Sequence, residues 1–220
     1  MPIDDIVYFR KKLLEWFDVH QRSFPWRKEG LTRYEVIISE ILLQRTKAET
    51  VARYFPVFLK KYPHWDALVN ASIEDLEEIF RPLGLYKHRA KRLYKIVEEY
   101  KEKKGGLPEN TRQLHDSNLS TLYIANAYEL FILNKKSPLL DVNMARVFSR
   151  YFATGEVKDV RHGKELQSFS KRVVRVKHCK ELNWAILDFA ALVCKSKKPA
   201  CLDCPLKSRC KYYNGLLAGE

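Results

Sequence analysis

Apolar residues recur at helical spacing along nearly the whole chain. Near the N-terminus, Ile6, Phe9 and Leu13 follow one another at intervals of three or four positions, as on one face of a helix. The same spacing predicts helices at residues 4–20, 32–46, 47–61, 72–80, 87–103, 110–115, 119–133, 143–152 and 180–194. Ser72 has the residue type and the position of an N-cap. Since no segment alternates convincingly between apolar and polar positions, the pattern predicts an all-α protein.

Composition narrows the class of protein. The 220 residues are 46% hydrophobic and 12% aromatic, which is typical of globular proteins. No apolar run approaches the roughly 20 residues of a membrane span, and the N-terminus lacks the pattern of a signal peptide. We therefore expect a cytoplasmic protein with no membrane partner. The net charge of +13 favours a polyanionic partner such as nucleic acid, although a basic protein without such a partner is the alternative.

Four of the five cysteines fall within seventeen residues near the C-terminus, in the spacing C-x6-C-x2-C-x5-C. They are Cys194, Cys201, Cys204 and Cys210. Thiolates are soft ligands that suit zinc or an iron–sulfur cluster. Zinc sites with four cysteines usually contain two C-x2-C pairs, and only one is present here, so the spacing favours a cluster over zinc. The odd count argues against disulfides, and Cys179 is interpreted as a structural or surface thiol.

The segment VIISEILLQ places one acid in a very apolar helix. At 100° per residue, Val36, Glu40 and Gln44 share one strip, while isoleucines and leucines occupy most of the remaining circumference. A carboxyl group in such a buried helix loses solvation, so we expect the pKa of Glu40 to be raised. An acid with a raised pKa can donate a proton near neutral pH. The alternative is that this strip is the solvated edge of the helix.

A second acid, Asp141, stands directly before the helical run VNMARVFSRYF. Asp at the start of a helix is usually an N-cap and nothing more. The free amides and the dipole of the helix also stabilise a carboxylate in this position, so we expect Asp141 to stay ionised while Glu40 is neutral. One neutral and one charged carboxyl group are the pair that glycosidic cleavage uses.

Six segments, taken in order, resemble the helix–hairpin–helix DNA glycosylases that carry an iron–sulfur tail. They are FPWR at 24–27, SEILLQRTKAETV at 39–51, LGLYKHRAKRL at 83–93, LLDVNMARVFSRYF at 139–152, LNWAILDFAALVC at 182–194 and the cysteine spacing. This superfamily includes endonuclease III, the adenine DNA glycosylases and the thymine-DNA mismatch glycosylases. FPWR and the Glu of SEILL are similar to the adenine and thymine-mismatch branches.

The resemblance implies a two-lobed all-α fold. It implies a cluster domain, residues 1–27 with 135–220, whose C-terminal loop holds a [4Fe-4S] cluster. It also implies a six-helix domain at 28–134 that contains the helix–hairpin–helix. Such proteins act as monomers on double-stranded DNA with a mismatched or damaged base. For a cytoplasmic protein, binding to DNA implies association with the nucleoid.

The resemblance also assigns chemistry to three residues. Asp141 becomes the carboxylate that stabilises an oxocarbenium-like sugar or helps water attack it, and Glu40 becomes the donor to the leaving base. Tyr123 occupies the position of the Schiff-base lysine of endonuclease III, where thymine-mismatch enzymes have Tyr. This implies a monofunctional glycosylase that removes T or U opposite G. The alternatives are removal of A opposite oxidised guanine and a non-catalytic DNA-binding protein. Adenine enzymes usually carry a further C-terminal domain, whereas this chain ends ten residues after Cys210, which favours thymine or uracil.

The remaining site residues are implied contacts with DNA. Gln44 and Arg45 lie where the family inserts side chains into the gap left by a flipped base. Leu85 or Tyr86 would wedge from a second turn, and Asn143 is a further implied contact. The family hairpin, which reads like LPGVGxxT, is altered, because the chain has no glycine between Gly106 and Gly155. Side chains in its place, Asn118, Ser120 and Thr121, are expected to bind a phosphate instead of glycine amides, unless the contact is lost.

Overall fold

The structure is a computed structural model that describes residues 3–155, 160 and 163–218. Across these residues the chain forms α-helices and three short 3-10 helices without any β-strand, so the predicted all-α class is confirmed. The α-helices are α1 Ile3–His20, α2 Arg33–Leu43, α3 Ala48–Lys61, α4 Trp65–Val69, α5 Ile73–Phe80, α6 Tyr86–Glu102, α7 Thr111–His115, α8 Leu122–Phe131, α9 Val142–Phe152, α10 Lys164–Val174, α11 Cys179–Leu192 and α12 Lys211–Ala218. None of the helices in the described part of the chain has the length and apolar character to cross a membrane.

The chain divides into two compact units. One consists of Met1–Arg22 with Asn134–Glu220, and the other of Ser23–Leu133. The sequence placed the divisions slightly later, after residues 27 and 134, so the 3-10 helix Pro25–Arg27 falls in the second unit and not in the first. Seven α-helices, α2 to α8, are described in the second unit, one more than predicted.

Side-chain caps begin α2 and α5. The Thr32 hydroxyl accepts a hydrogen bond from the Glu35 amide, and the Glu35 carboxylate accepts one from the Thr32 amide, which forms a capping box at the start of α2. The predicted N-cap Ser72 forms the same arrangement with Asp75 at the start of α5. These local contacts satisfy amides that have no partner inside the helix.

Each unit has its own apolar core. In the second unit, α2 is buried along most of its circumference, with Ile37, Ile38, Ile41 and Leu42 each 2% exposed or less. The core of the first unit is aromatic. There Phe9 of α1 lies 5.0 Å, between ring centroids, from Phe152 of α9, which lies 5.0 Å from Phe169 of α10.

Three helices were not predicted, and α2 is shorter than predicted. α4 and α12 have only five and eight residues, which is too short for a clear periodic signal. α10 does bury Leu166, Phe169 and Val173 at helical spacing, so its signal was present in the sequence. α2 ends at Leu43 instead of residue 46, because a buried arginine of α6 binds its last carbonyl groups.

Candidate functional site

Glu40 lies on α2 among buried isoleucine and leucine side chains. The residue is 4% exposed, and its Oε2 atom is buried with no hydrogen-bond partner in the described part of the chain. α8 packs against α2, and the Tyr123 hydroxyl of α8 donates a hydrogen bond to the Glu40 carboxyl group. Burial raises the pKa of Glu40 to about 7, while the Tyr123 hydrogen bond and the positive charge of Arg27 oppose the rise. The predicted burial and raised pKa are confirmed, and the alternative of a solvated edge is wrong.

Arg27 is a neighbour of Glu40 that the sequence interpretation did not assign to the site. Its guanidinium lies 5.0 Å from the ring centroid of Phe24, and that ring stacks on Trp26 with centroids 4.8 Å apart. The Phe24 ring, stacked on Trp26, therefore holds the arginine through a cation–π contact. The motif itself was the available signal, since an arginine that follows two buried aromatic residues is held close to the core.

Asp141 is the N-cap of α9, as predicted. Its Oδ1 atom accepts hydrogen bonds from the amides of Asn143 at 2.9 Å and Met144 at 2.8 Å, and its Oδ2 atom accepts one from Asn143 Nδ2 at 2.7 Å. These contacts favour the anion, but burial is the larger effect, and the pKa of Asp141 is raised from its ordinary value. The capping position is therefore as predicted, and the net direction of the pKa shift is upward because desolvation outweighs the amides.

Hydrogen bonds connect Asp141 to the first cysteine of the tail. Asn143 also accepts a hydrogen bond at its Oδ1 atom from Arg146 Nη1, at 3.0 Å. The same guanidinium donates from Nε to the carbonyl of Cys194 at 3.0 Å and from Nη2 to the carbonyl of Ala190 at 3.0 Å. One arginine of α9 thus holds both the residue that orients Asp141 and the segment that enters the cysteine loop.

The four tail cysteines line the same pocket, which opens to solvent. They are Cys194, Cys201, Cys204 and Cys210. Val147, Tyr151 and Phe189 contribute to its apolar lining, and Arg150 Nη1 lies 3.6 Å from the Cys194 sulfur. Within the described residues, no three His, Cys, Asp or Glu side chains are grouped so as to hold a metal ion. Four thiols around a largely apolar pocket nevertheless match the donor set of an iron–sulfur cluster.

The fifth cysteine is separate from this pocket. Cys179 is 5% exposed, at the first position of α11, and its sulfur accepts a hydrogen bond from Asn183 Nδ2 at 3.5 Å. Burial raises the pKa of this thiol to about 11. It is therefore a structural thiol, which is one of the two roles expected for it.

Two turns of the second unit present the predicted wedge residues. Gln44 is the half-buried C-cap of α2, and the exposed Arg45 that follows has a φ of 54°. Leu85 has a φ of 51° and is 49% exposed, directly before α6. Tyr86 is half-buried, with the Arg81 guanidinium 5.2 Å from its ring centroid. Between the two predicted alternatives, the structure exposes Leu85 and holds Tyr86 against the protein.

The segment in the place of the family hairpin is engaged internally. The Asn118 amide donates to the Glu99 carboxylate at 2.6 Å, and Asn118 Nδ2 donates to the Lys95 carbonyl at 3.1 Å. Thr121 accepts a hydrogen bond from Arg92, while Ser120 is exposed. A carboxylate therefore occupies the Asn118 amide, and a backbone carbonyl occupies Nδ2 of its side chain.

Comparison with known families identifies the class of protein to which this helical chain belongs. Residues 38–173 match the model of the HhH-GPD superfamily base excision DNA repair proteins. The chain belongs to this superfamily, as the sequence motifs predicted.

Similar proteins cover almost the same length. The chain is 32% identical over 210 residues to the thymine-DNA glycosylase of Aeropyrum pernix, with 93% of this chain and 94% of that protein aligned. It is 34% identical over 215 residues to the thymine/uracil-DNA glycosylase of Pyrobaculum aerophilum, covering 95% and 93% of the two chains. Its fold superposes on the solved structure of a thermostable thymine-DNA glycosylase with a TM-score of 0.86 at 26% identity, over 96% of this chain and 98% of that one. The predicted similarity to the thymine-DNA glycosylases is confirmed.

Proposed function

We propose that the protein is a monofunctional DNA N-glycosylase of base excision repair that removes T or U opposite G, acting as a monomer on double-stranded DNA. The observation that carries the proposal is the buried Glu40, whose carboxyl group is hydrogen-bonded by Tyr123 and has a pKa of about 7. The similarity to proteins named thymine-DNA and thymine/uracil-DNA glycosylase supports the choice of base. The net charge of +13 supports a nucleic-acid substrate.

Glu40 would act on the leaving base. When the bond between the sugar C1′ and the base N1 breaks, both electrons of that bond go to the base, which leaves as an anion. A neutral carboxyl group donates a hydrogen bond or a proton to that anion, and a pKa of about 7 keeps a useful fraction of Glu40 protonated near neutral pH. Because the site is buried, the donor does not compete with water for its acceptor.

Asp141 would act on the sugar. As the base leaves, positive charge develops at C1′ and the ring oxygen, and a fixed carboxylate stabilises that charge. The same carboxylate can accept the proton of the water that adds to C1′. The amides of Asn143 and Met144 and the Asn143 side chain fix the orientation of both oxygen atoms, so no reorganisation is needed during the reaction.

Tyr123 supports a reaction without a lyase step. Its side chain has no amine that could form a Schiff base with the abasic sugar, and its hydroxyl is committed to Glu40. Water is then the nucleophile that completes the reaction, and the product is an intact strand with an abasic site.

A panel of duplexes tests the choice of base. We expect purified protein to produce alkali-labile abasic sites at T in G·T and at U in G·U duplexes, and not in the matched A·T duplex. Removal of A opposite oxidised guanine as the dominant activity would contradict the proposed substrate and support the adenine alternative.

The internally bonded hairpin segment favours a second candidate function, a DNA-binding protein without catalysis. Glu99 occupies the Asn118 amide, so a phosphate contact of the glycine-amide type is not available at that residue. Tight binding to duplex DNA with no abasic product from any member of the panel would support this candidate over the enzyme.

We propose further that the four tail cysteines hold a [4Fe-4S] cluster. A cluster with several irons joins thiolates that are more widely spaced than those around one zinc ion, where each sulfur lies about 2.3 Å from the metal. When bound, the cluster would fix the loop between α11 and α12, and neither Glu40 nor Asp141 belongs to its donor set. The cluster is thus proposed as a structural centre.

The cluster proposal predicts a coloured protein. We expect broad visible absorbance near roughly 400 nm from bound iron and sulfide. Cys204→Ser should lose the absorbance and most of the iron measured by elemental analysis, because one ligand is removed. Cys179→Ser is the matched control and should keep both. Colourless wild-type protein that contains zinc would refute the cluster.

A further inference from the structure

A buried arginine of α6 donates hydrogen bonds to backbone carbonyl groups in two turns. Arg89 is 5% exposed, and its Nη1 atom donates to the carbonyl of Ile41 at 2.8 Å and to that of Leu42 at 3.3 Å. Its Nη2 atom donates to the carbonyl of Gln44 and, at 2.6 Å, to the hydroxyl of Thr46. These contacts end α2 and fix the loop that follows it.

The same guanidinium reaches the second turn. Arg89 Nε donates to the carbonyl of Gly84 at 3.0 Å. Gly84 directly precedes Leu85, as Gln44 directly precedes Arg45, and both Leu85 and Arg45 have a left-handed backbone that is uncommon for residues other than glycine. One arginine therefore binds the carbonyl in front of each left-handed tip. Such strained tips persist only where surrounding contacts hold them, and they cluster at functional sites.

Arg92, three positions further along α6, extends this arrangement to a third segment. Its Nη1 atom donates to Gln44 Oε1 at 2.9 Å, and its Nη2 atom donates to the Thr121 hydroxyl. Residues at this spacing lie on the same face of a helix. The side chain of Gln44 is thus tied to the segment that replaces the glycine hairpin.

We propose that Arg89 and Arg92 form an arginine clamp, which holds the wedge tips at Gln44–Arg45 and Leu85, together with the segment at Thr121, in one rigid arrangement that contacts the DNA duplex. Both arginines are positioning residues, since they act through the exposed or half-buried side chains of the tips. The inference rests on the proposed function, because it requires that these tips contact DNA.

The clamp gives a physical reason why the protein can keep this segment in place without the glycines of the family hairpin. The Arg92 side chain links this segment to the loop after α2, so its position is set by a side-chain contact and not by glycine geometry. Fixing the tips before binding reduces the ordering entropy that a flexible wedge would lose on entering the duplex.

A double-mutant cycle tests the clamp through Gln44. Binding is measured to two duplexes, one with a stable abasic analogue, which leaves a gap for a wedge, and one fully matched. We expect Arg92→Met to lower the preference for the abasic duplex about 10-fold and Gln44→Ala to lower it similarly, with no further loss in the double variant. Lys101→Met removes a charge from the opposite face of α6 and should leave the preference unchanged.

The same data separate the clamp from a direct phosphate contact. An arginine that binds a phosphate would weaken binding to both duplexes alike, and its loss would reduce the salt slope by about one. Effects of Arg92→Met and Gln44→Ala that multiply, or a matched duplex that weakens as much as the abasic one, would overturn the clamp. Wild-type protein with no preference for the abasic duplex would also overturn the clamp.

Arg89 requires a separate variant because it is buried. Arg89→Lys keeps the charge but cannot reach five groups, so we expect the same loss of abasic preference, with the melting temperature followed in parallel. If this variant does not fold, the Arg92 cycle still decides the question.

Because the assay measures binding, wild-type protein that prefers the abasic duplex yet releases no base would refute the proposed function and leave the clamp intact.

Discussion

Asp141→Asn is expected to lower the single-turnover rate of base removal from a G·U duplex about 10³-fold. The substitution removes the negative charge that stabilises the positive sugar and the acceptor for the proton of water, and fixed charges of this kind contribute on that order. Asparagine keeps the shape of the side chain and is an equally good N-cap, so α9 should begin at the same residue. The melting temperature should therefore stay close to that of the wild type.

The control for this variant is Asp18→Asn, which removes one carboxylate from the exposed face of α1 in the same unit. It should keep the wild-type rate. A rate for Asp141→Asn within about 10-fold of the wild type would contradict the role assigned to this acid, because loss of one such electrostatic contact costs at least 10²-fold.

Glu40→Gln is expected to abolish most activity and to change its pH dependence. The wild-type carboxyl group is an effective donor only when protonated, so kcat/KM should fall as the pH rises above about 7, by about tenfold per pH unit. Glutamine donates a weaker hydrogen bond at every pH, so the slow residual reaction should lose this alkaline limb. An alkaline limb that persists unchanged in Glu40→Gln would assign it to another group.

Tyr123→Phe supplies a second check on the same acid. The hydrogen bond from Tyr123 lowers the pKa of Glu40 against the effect of burial. Its removal should therefore raise that pKa and move the alkaline limb to higher pH. A shift to lower pH would contradict the contact.

The raised pKa of Glu40 also has a stability consequence with a definite sign. In the unfolded chain the group titrates near 4.5, whereas in the folded protein it titrates at about 7, so the folded state holds the proton more tightly. Its contribution to stability is complete below pH 4.5 and is lost as the pH rises through 7. Above that pH the ionised carboxylate costs about 3 kcal/mol, so Glu40→Gln should melt at a higher temperature than the wild type at pH 8 and not at pH 4.

Local signals in the sequence were sufficient to predict several features. Ser39 and Glu40 are the polar residues between Ile38 and Leu42, so the apolar pattern of α2 indicated burial of Glu40, with a solvated edge left open as the alternative. Asp141 precedes a strong helical run, and its capping contacts follow from that position alone. The four cysteines lie within seventeen residues, so their spacing alone indicated that they share one pocket.

Other features depend on contacts between distant residues and could not be predicted. The loop after α2 is set by Arg89, 45 positions after Gln44, and nothing near residue 44 indicates that partner. The raised pKa of Asp141 reflects burial by the folded protein, which helix-start chemistry alone does not contain. The internal bond from the Asn118 amide to Glu99 likewise joins the turn between α7 and α8 to α6, and this packing appears only in three dimensions.

Release of the free base from a G·T or G·U duplex is the measurement that tests the central claim most directly. Base and strand are followed separately, by chromatography of the released base and by gel analysis of the strand before and after alkali. We predict free thymine or uracil together with a strand that stays intact until alkali is added, and release of the base about 10³-fold slower with Asp141→Asn. No released base, or strand cleavage without alkali, would contradict this prediction.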